Sequence, residues 1–254
     1  MTTGWLKIVG LGAGNSTWLT PEAFDILHNA TDIVGYSTYI SAVPKSVTAT
    51  LHASDNGVEV ERAEYALTLA TQGKKVAVIS SGDAGIFGMA SAVFEAVENG
   101  DTNWRNLDIE VVPAVSALLA VAARVGSPLG HDFCVISLSS YLKPIAIIEK
   151  RLRAAIDGDF VLVVYNPTSK HRGGDFLNHL AILRALADGD RVAIIATNVG
   201  REHENITITT LAELNPDFIT MNSLLIIGSS KTRKIMRDGK EPIIYTPRYY
   251  EATL

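Results

Sequence analysis

The sequence predicts two α/β domains. Short apolar runs alternate with helical patterns along the whole of the 254 residues, of which 47% are hydrophobic and 19% charged, and that alternation is the signature of strands joined by helical crossovers. Glycine-rich or polar clusters close several of the apolar runs. Charge is also divided unevenly: residues 1–126 hold 7 basic and 13 acidic side chains, whereas residues 127–254 hold 15 and 14. A sign asymmetry of this kind points to two units with different tasks.

Leu6–Leu11 is a β-type run that ends in glycines. Thr20-Pro21-Glu22 then supplies an N-cap, a proline at the first helical position and an early acid, predicting a helix to about Asn29. Ile33–Tyr36 is a short strand. Ala63, Ala66, Leu67 and Ala70 share one face of a helix from Val58 to Thr71, which Gly73 ends. Val76–Ser80 and Ile109–Val112 are further strands, with a helix at Phe87–Val97 between them. Ala114–Val125 is a small-residue helix, followed by the loop Gly126–Gly130. Beyond it, strands are expected at Phe133–Leu138, Phe160–Tyr165, Val192–Ala196, Ile206–Thr209 and Ser223–Ile227, with helices at 144–156 and 175–187. The domains are expected at 1–113 and 127–254, joined by 114–126. The first half reads as a mainly parallel sheet.

Composition excludes several classes of function. A net charge of −5 and a pI of about 5.7 oppose broad contact with duplex nucleic acid, which needs a basic face. The single Cys134 excludes a disulfide framework and any multi-cysteine metal site. It lies in an apolar strand pattern, as a small buried hydrophobe would. The six histidines, at 28, 52, 131, 171, 179 and 203, show no metal-ligand spacing, so no metal is expected. The N-terminus lacks a signal-peptide pattern, and no apolar run approaches the ~18 residues of a spanning helix. The expectation is a cytoplasmic protein without membrane or nucleic-acid partners.

Gly10-Leu11-Gly12-Ala13-Gly14 follows the first strand and invites a dinucleotide reading. Three features oppose it. Asn15 stands where the third glycine belongs, the helix opens well past the glycines, and Asp32 precedes its strand instead of following one. Ser80–Met89 is the richest segment: it closes a strand, carries Gly82, Gly85 and Gly88, and enters a helix. Loops at the carboxyl ends of parallel strands are where α/β sheets take ligands, although a plain strand-to-helix turn capped by Asp83 has the same pattern. Asp32–Tyr36 with Tyr39, Tyr165-Asn166-Pro167 and Thr197–Arg201 are further polar clusters at strand ends. Together with the glycine loop they would line a cleft between two domains. Lys231, Arg233, Lys234, Arg237, Lys240 and Arg248 form a basic C-terminal group, either a solvated tail or a field that draws in a polyanionic small molecule.

In this order and spacing, Val9–Gly14, Asp32–Tyr39, Ser80–Met89, Pro113–Ala117, Tyr165-Asn166-Pro167, Thr197–Glu202 and Met221–Ser229 resemble the tetrapyrrole methylase family. Arg172, the Asn198–Glu202 run and the Thr246–Tyr249 ending are most similar to the branch that methylates carbon 17 of precorrin-3B in cobalamin biosynthesis. Ala114 stands where the family usually has glycine.

The resemblance implies two α/β domains with S-adenosylmethionine in the cleft between them, S-adenosylhomocysteine as product, a precorrin as substrate and a homodimer. The implied cofactor residues are Gly12, Ala13, Gly82, Asp83, Ile86, Phe87, Ser116 and Ala117, then Tyr165, Asn166, Asn198, Ser223 and Leu224. Ring contraction needs a proton moved, for which Asp32, Tyr36, His52, Arg201 and Glu202 are candidates. Arg172, Arg201 and the C-terminal group would anchor carboxylates. The alternatives are another member of the same superfamily, an NAD-dependent oxidoreductase resting on the N-terminal glycines, and a non-catalytic ligand-binding module.

Overall fold

The computed structural model describes residues 4–14, 16–168 and 175–250. The chain divides into two compact units, Met1–Ala117 and Leu118–Leu254.

The first unit runs β1 (Trp5–Gly10), α1 (Pro21–Asn29), β2 (Asp32–Tyr36), α2 (Ser37–Ile40), β3 (Thr50–Ser54), α3 (Glu59–Thr71), β4 (Lys75–Ser80), α4 (Met89–Asn99) and β5 (Asp108–Val112). Its five strands are ordered β3-β2-β4-β1-β5, and every neighbouring pair is parallel. Alternate residues of these strands feed opposite faces, as the two-residue period requires. Leu6, Ile8, Val34, Val76 and Val78 pack with Ala63, Ala66, Leu67 and Ala70 of α3 and Met89, Ala90 and Val93 of α4. Val9, Ile33, Ala77, Ile79 and Val112 pack with Ala23 and Leu27 of α1. Burial of a leucine or isoleucine side chain contributes roughly 1.5–3 kcal/mol, so both faces are covered at a gain. This is why the strands read as unbroken apolar runs. The N-terminus of α1 forms as its sequence predicts, the Thr20 hydroxyl accepting from Ala23 N at 3.1 Å.

The second unit runs α5 (Ala117–Val125, its first residue in the first unit), β6 (Gly126–Ser127), β7 (Phe133–Ser137), α6 (Ile145–Asp157), β8 (Val161–Tyr165), α7 (Asp175–Leu186), β9 (Val192–Thr197), β10 (Asn205–Thr210), β11 (Ser223–Ile227), β12 (Arg233–Arg237) and β13 (Lys240–Tyr245). Its main sheet is ordered β10-β9-β11-β8-β7. Only β7 and β8 pair in parallel; β11 is antiparallel to both β8 and β9. Ile148 and Leu152 of α6 and Phe176, Leu180 and Leu183 of α7 cover one face, over Leu162, Val164, Ile195, Leu225 and Ile227. β12 and β13 form a hairpin about Asp238-Gly239, Gly239 having the positive φ of 64° that such a turn demands.

Two helices start later than the sequence pattern indicates. α4 opens at Met89 instead of Phe87, because Phe87 takes a φ of 54° and the Ser80 hydroxyl accepts from Met89 N. α5 opens at Ala117 instead of Ala114, and the Ala114 N–H bonds to Asp83 in the loop before it. The sequence reading has no counterpart for α2, β3 or the β12–β13 hairpin. The first is a single turn, β3 and β12 are edge strands with few apolar residues, and β13, which lies between β12 and β6, has only the short apolar run Ile243–Tyr245.

At the amino end of β2, Asp32 is 1% exposed. Its carboxylate accepts from His52 Nε2 at 2.8 Å, Lys74 Nζ at 3.0 Å and the Thr31 hydroxyl at 2.8 Å, while His52 Nδ1 lies 3.0 Å from the Tyr65 hydroxyl. Burial pushes the Asp32 carboxyl up, but the bonds from His52, Thr31 and Lys74 outweigh it and hold the group below its ordinary range. A depressed carboxyl stabilises the fold above its unfolded pKa and ceases to do so as pH falls through the folded one. Asp32→Asn should therefore lower stability by roughly 1–3 kcal/mol at neutral pH. In thermal melts from pH 7 to 3, the gap between the two proteins should close toward the acid end; a constant gap would refute the assignment.

Candidate functional site

β1 and β4 are neighbours in the first sheet, yet their connections leave on opposite faces. α1 packs on the side of Val9 and Ile79, α4 on the side of Ile8 and Val78. Divergence of this kind opens a crevice at the carboxyl ends of the strands, the place where open α/β sheets bind ligands.

The two loops that leave there are bonded to each other. Leu11 N donates to Ser80 O at 2.9 Å, Gly12 N to Gly82 O at 3.2 Å and Gly82 N to Gly12 O at 2.8 Å. Gly12 has a φ of 78° and Gly82 a φ of 66°, the left-handed region that glycine enters without strain. A third loop joins them from β5, the other neighbour of β1: Ala114 N donates to Asp83 Oδ2 at 2.9 Å. A Cβ on Gly10 would lie 2.6 Å from both Ala114 Cβ and Gly82 O, so all three loops meet over that residue. Ala114 is accommodated because Gly10 faces it without a side chain.

Ser116 closes this cluster. It is 1% exposed, and its hydroxyl has no hydrogen-bond partner in the structure. A Cβ on Gly82 would sit 3.8 Å from Ser116 Cα and Ala117 N. Later in the glycine loop, Ile86 and Phe87 leave apolar surface open, Phe87 being 55% exposed. Its left-handed backbone stores strain on the order of 1 kcal/mol, a cost that ordinarily persists where function requires it. Ala13 is buried within the first loop.

The dinucleotide reading gains nothing from this geometry, since the N-terminus of α1 is capped by its own Thr20. Asn15, used in that reading, lies outside the described residues, as does Arg172.

Tyr36 ends β2, the neighbour of β4 on the far side, and stands edge-on to Tyr39 with ring centroids 5.2 Å apart. It therefore shares the sheet end that carries the glycine loops. Asp32 begins the same strand, about 13 Å away at the strand rise. With its oxygens engaged by His52, Lys74 and Thr31, it is separated from the loop cluster. His52 belongs to the same network.

In the second unit the carboxyl ends of β8 and β9 lie beside the amino end of the antiparallel β11. Tyr165 ends β8, and its hydroxyl accepts from Leu118 N at 3.1 Å. Asn166 takes a φ of 51° and donates through Nδ2 to the Ser137 hydroxyl at 3.0 Å. The Thr197 and Ser223 hydroxyls are 2.8 Å apart, and Ser223 Oγ also accepts from Thr220 N. Asn198, with a φ of 53°, donates its N–H to Asn222 O. Leu224 is buried on the strand, so only its backbone is on offer.

The acids of the following turn separate by environment. Glu202 is 89% exposed beside His203, a solvated pair of little energetic consequence. Glu204 is the engaged one: it accepts from Arg124 Nε at 2.8 Å and from Gly200 N at 2.6 Å. The bond from Arg124 holds its carboxyl below the ordinary range, against the opposing effect of burial. Arg201 N closes the same turn onto Asn198 O. Sequence reasoning missed Glu204 and Ser137, while Thr197 stands in the polar cluster it did mark. Thr197 ends the apolar run as Tyr165 does, whereas nothing in the pattern marks Glu204 over Glu202.

Of the basic C-terminal group, Arg233, Lys234, Arg237 and Lys240 lie on the hairpin, whose first strand is exposed throughout, while Lys231 and Arg248 flank it. Its root follows the carboxyl end of β11, away from Ser223, where Asp159 accepts from Ser230 N, the Ser230 hydroxyl and the Tyr250 hydroxyl. Among the described residues no three His, Cys, Asp or Glu side chains are grouped to hold a metal ion, and no helix is long and apolar enough to cross a membrane.

The family described as Tetrapyrrole (Corrin/Porphyrin) Methylases matches residues 6–215. The chain is 41% identical over 248 residues to a Sinorhizobium protein named precorrin-3B C(17)-methyltransferase, covering 98% of each. It is also 41% identical over 252 residues to a Methanocaldococcus jannaschii protein named probable cobalt-factor III C(17)-methyltransferase, covering 96% of this chain and 97% of the relative. Among solved structures, the methyltransferase CobJ superposes with a TM-score of 0.91 at 42% identity, over 96% of this chain and all of that one. A parallel glycine-loop sheet, a mixed second sheet and a match across both units lead to one conclusion: the chain belongs to the tetrapyrrole methylases.

Proposed function

We propose that this chain transfers a methyl group from S-adenosylmethionine to carbon 17 of precorrin-3B, with ring contraction to precorrin-4 and release of S-adenosylhomocysteine. The observation that carries the reading is the identity of 41% across 98% of both chains with the Sinorhizobium enzyme. The equal identity with the Methanocaldococcus relative favours one second reading, the cobalt-containing substrate. A homodimer and a cytoplasmic location belong to the same proposal, on the family resemblance.

The first unit's loops fit this cofactor on their own chemistry. Bound S-adenosylmethionine supplies an electrophilic methyl group on a sulfonium, and transfer to carbon is an in-line displacement that gains chiefly from positioning and exclusion of water. Gly12 and Gly82, bonded to each other, leave room for close approach to the chain, Ile86 and Phe87 offer apolar surface, Ala13 is proposed as a backbone contact, and the Ser116 hydroxyl offers a buried, uncommitted donor and acceptor. Ala117 opens a helix beside it. From the second unit we propose Tyr165, Asn166, Asn198, Ser223 and the backbone of Leu224 as further contacts.

For the proton transfer that accompanies ring contraction, Tyr36 is the proposed group at the loop end of the first sheet. Arg201 and Glu202, both exposed, are proposed to meet substrate carboxylates and protons in the second unit. Asp32 and His52 have no part in the step, being committed to each other away from the loops.

Turnover with labelled S-adenosylmethionine against precorrin-3B and its cobalt-containing counterpart tests the proposal. Label should pass to one of them, and transfer to neither would overturn it. Ser116→Ala should leave the thermal stability of the free protein unchanged, because the hydroxyl it removes bonds to nothing. The same variant should weaken S-adenosylhomocysteine binding in calorimetry about 10-fold, a lost buried hydrogen bond. Gly82→Val forces a branched side chain into the left-handed region and should abolish that binding in a protein that still folds. Full affinity in either variant would remove the residue from the site.

A further inference from the structure

Asp83 invites assignment as a cofactor ligand, since it is the acid of the glycine loop. Its carboxylate is already committed. Oδ1 accepts from Gly85 N at 2.8 Å within its own loop, and Oδ2 accepts from Ala114 N at 2.9 Å in the loop after β5, 31 residues away. We infer that Asp83 is a positioning residue: it braces the loop after β4 against the loop after β5, and it acts on the bound cofactor only through the groups this brace aligns. The inference rests on the proposed methyltransferase reading and assigns the acid a different task from its neighbours.

Three features support the brace. First, the two bonds leave in different directions and from different elements, so rotating the carboxylate toward a ligand would break at least one of them. Second, the tether at Ala114 is two residues from Ser116, whose buried hydroxyl has no partner. Fixing the Ala114 backbone therefore limits how far the stretch of chain that carries this hydroxyl can shift. Third, the brace acts where the loops are already in steric contact, over Gly10, so small slips of the β5 loop are resisted on both sides.

The side chain is also chemically selective. An aspartate presents acceptors to both N–H groups. Asparagine has nearly the same shape but presents one oxygen and one NH₂, which would set a donor against a donor. Glutamate would add a methylene where the spacing is already that of a direct bond. A proline at 114 would remove the donor altogether.

The test compares wild type with Asp83→Asn by calorimetry, using S-adenosylhomocysteine, its 2′-deoxy and 3′-deoxy analogues, and 5′-methylthioadenosine. Exchange of the Ala114 amide is followed in alanine-¹⁵N-labelled protein. In ligand-free wild type the Ala114 amide should be protected, and in Asp83→Asn it should exchange faster. All four ligands should weaken by the same factor, about 10- to 100-fold, as expected when charge-assisted bonds inside the protein are lost.

Unchanged affinity in the variant would overturn the inference. A loss confined to ligands that keep one particular hydroxyl or the amino acid moiety would also overturn it, because that pattern marks a direct contact. So would an unprotected Ala114 amide in wild type, a result that needs no variant to fold. Failure of wild type itself to bind S-adenosylhomocysteine would instead strike the proposed function, with the amide exchange still reporting on the brace.

Discussion

The pair of backbone hydrogen bonds between Gly12 and Gly82 is the constraint on which the first unit's site depends. β1 and β4 run side by side through six residue pairs and would ordinarily part at their ends, since one chain turns to α1 and the other to α4. The reciprocal bonds carry the pairing one step past the strands, in an antiparallel bridge that parallel neighbours form only if the two chains change their relative direction. Both glycines turn there with positive φ. At Gly12 any side chain would press a Cβ to 2.8 Å from Trp18 O. The glycines are thus a requirement of the crossing, and the ligand surface is its consequence.

This explains why the site was partly legible in the sequence. Glycines clustered after two apolar runs mark strand ends where backbone must come close, and Gly12 and Gly82 fall where that logic puts them, whereas Ser116 is reached only through the family resemblance. What the sequence could not convey is which polar residues share an end of a sheet. Asp32 and Tyr36 are four positions apart, and in one dimension they form a single cluster. In an extended strand the same four positions span about 13 Å, enough to put the carboxylate in a buried network and the phenol beside the glycine loops. Similarly, β3 and β12 are short of apolar residues, and the apolar run Ile243–Tyr245 of β13 is only three residues long. One is held to the sheet by backbone pairing with β2; the other is closed by a two-residue turn and by hydroxyl contacts such as Thr232–Thr246.

The second unit shows the same limit at shorter range. Glu202, His203 and Glu204 are consecutive in a turn, and His203 takes a φ of 61°. That reversal sends Glu202 and His203 outward and turns Glu204 back onto Gly200 N and Arg124. A motif written in letters favours the first glutamate, while the backbone selects the second.

Asp83 and Glu204 make a common point about chemistry. Each is the acid of a loop that follows a strand, and each accepts from a backbone N–H of its own loop, Gly85 or Gly200, and from a second element, Ala114 or Arg124. Carboxylates used in this way stiffen loops, and their charge is met by donors of the protein. For a methyl donor this matters. A free anion held against a sulfonium would stabilise the charged ground state more than a transition state in which that charge is dispersing, and so would slow the transfer. Under the proposed function, loops that held the donor through backbone groups, an aromatic ring and a neutral hydroxyl would avoid that penalty, and internal carboxylate braces would supply their rigidity without adding an uncompensated negative charge.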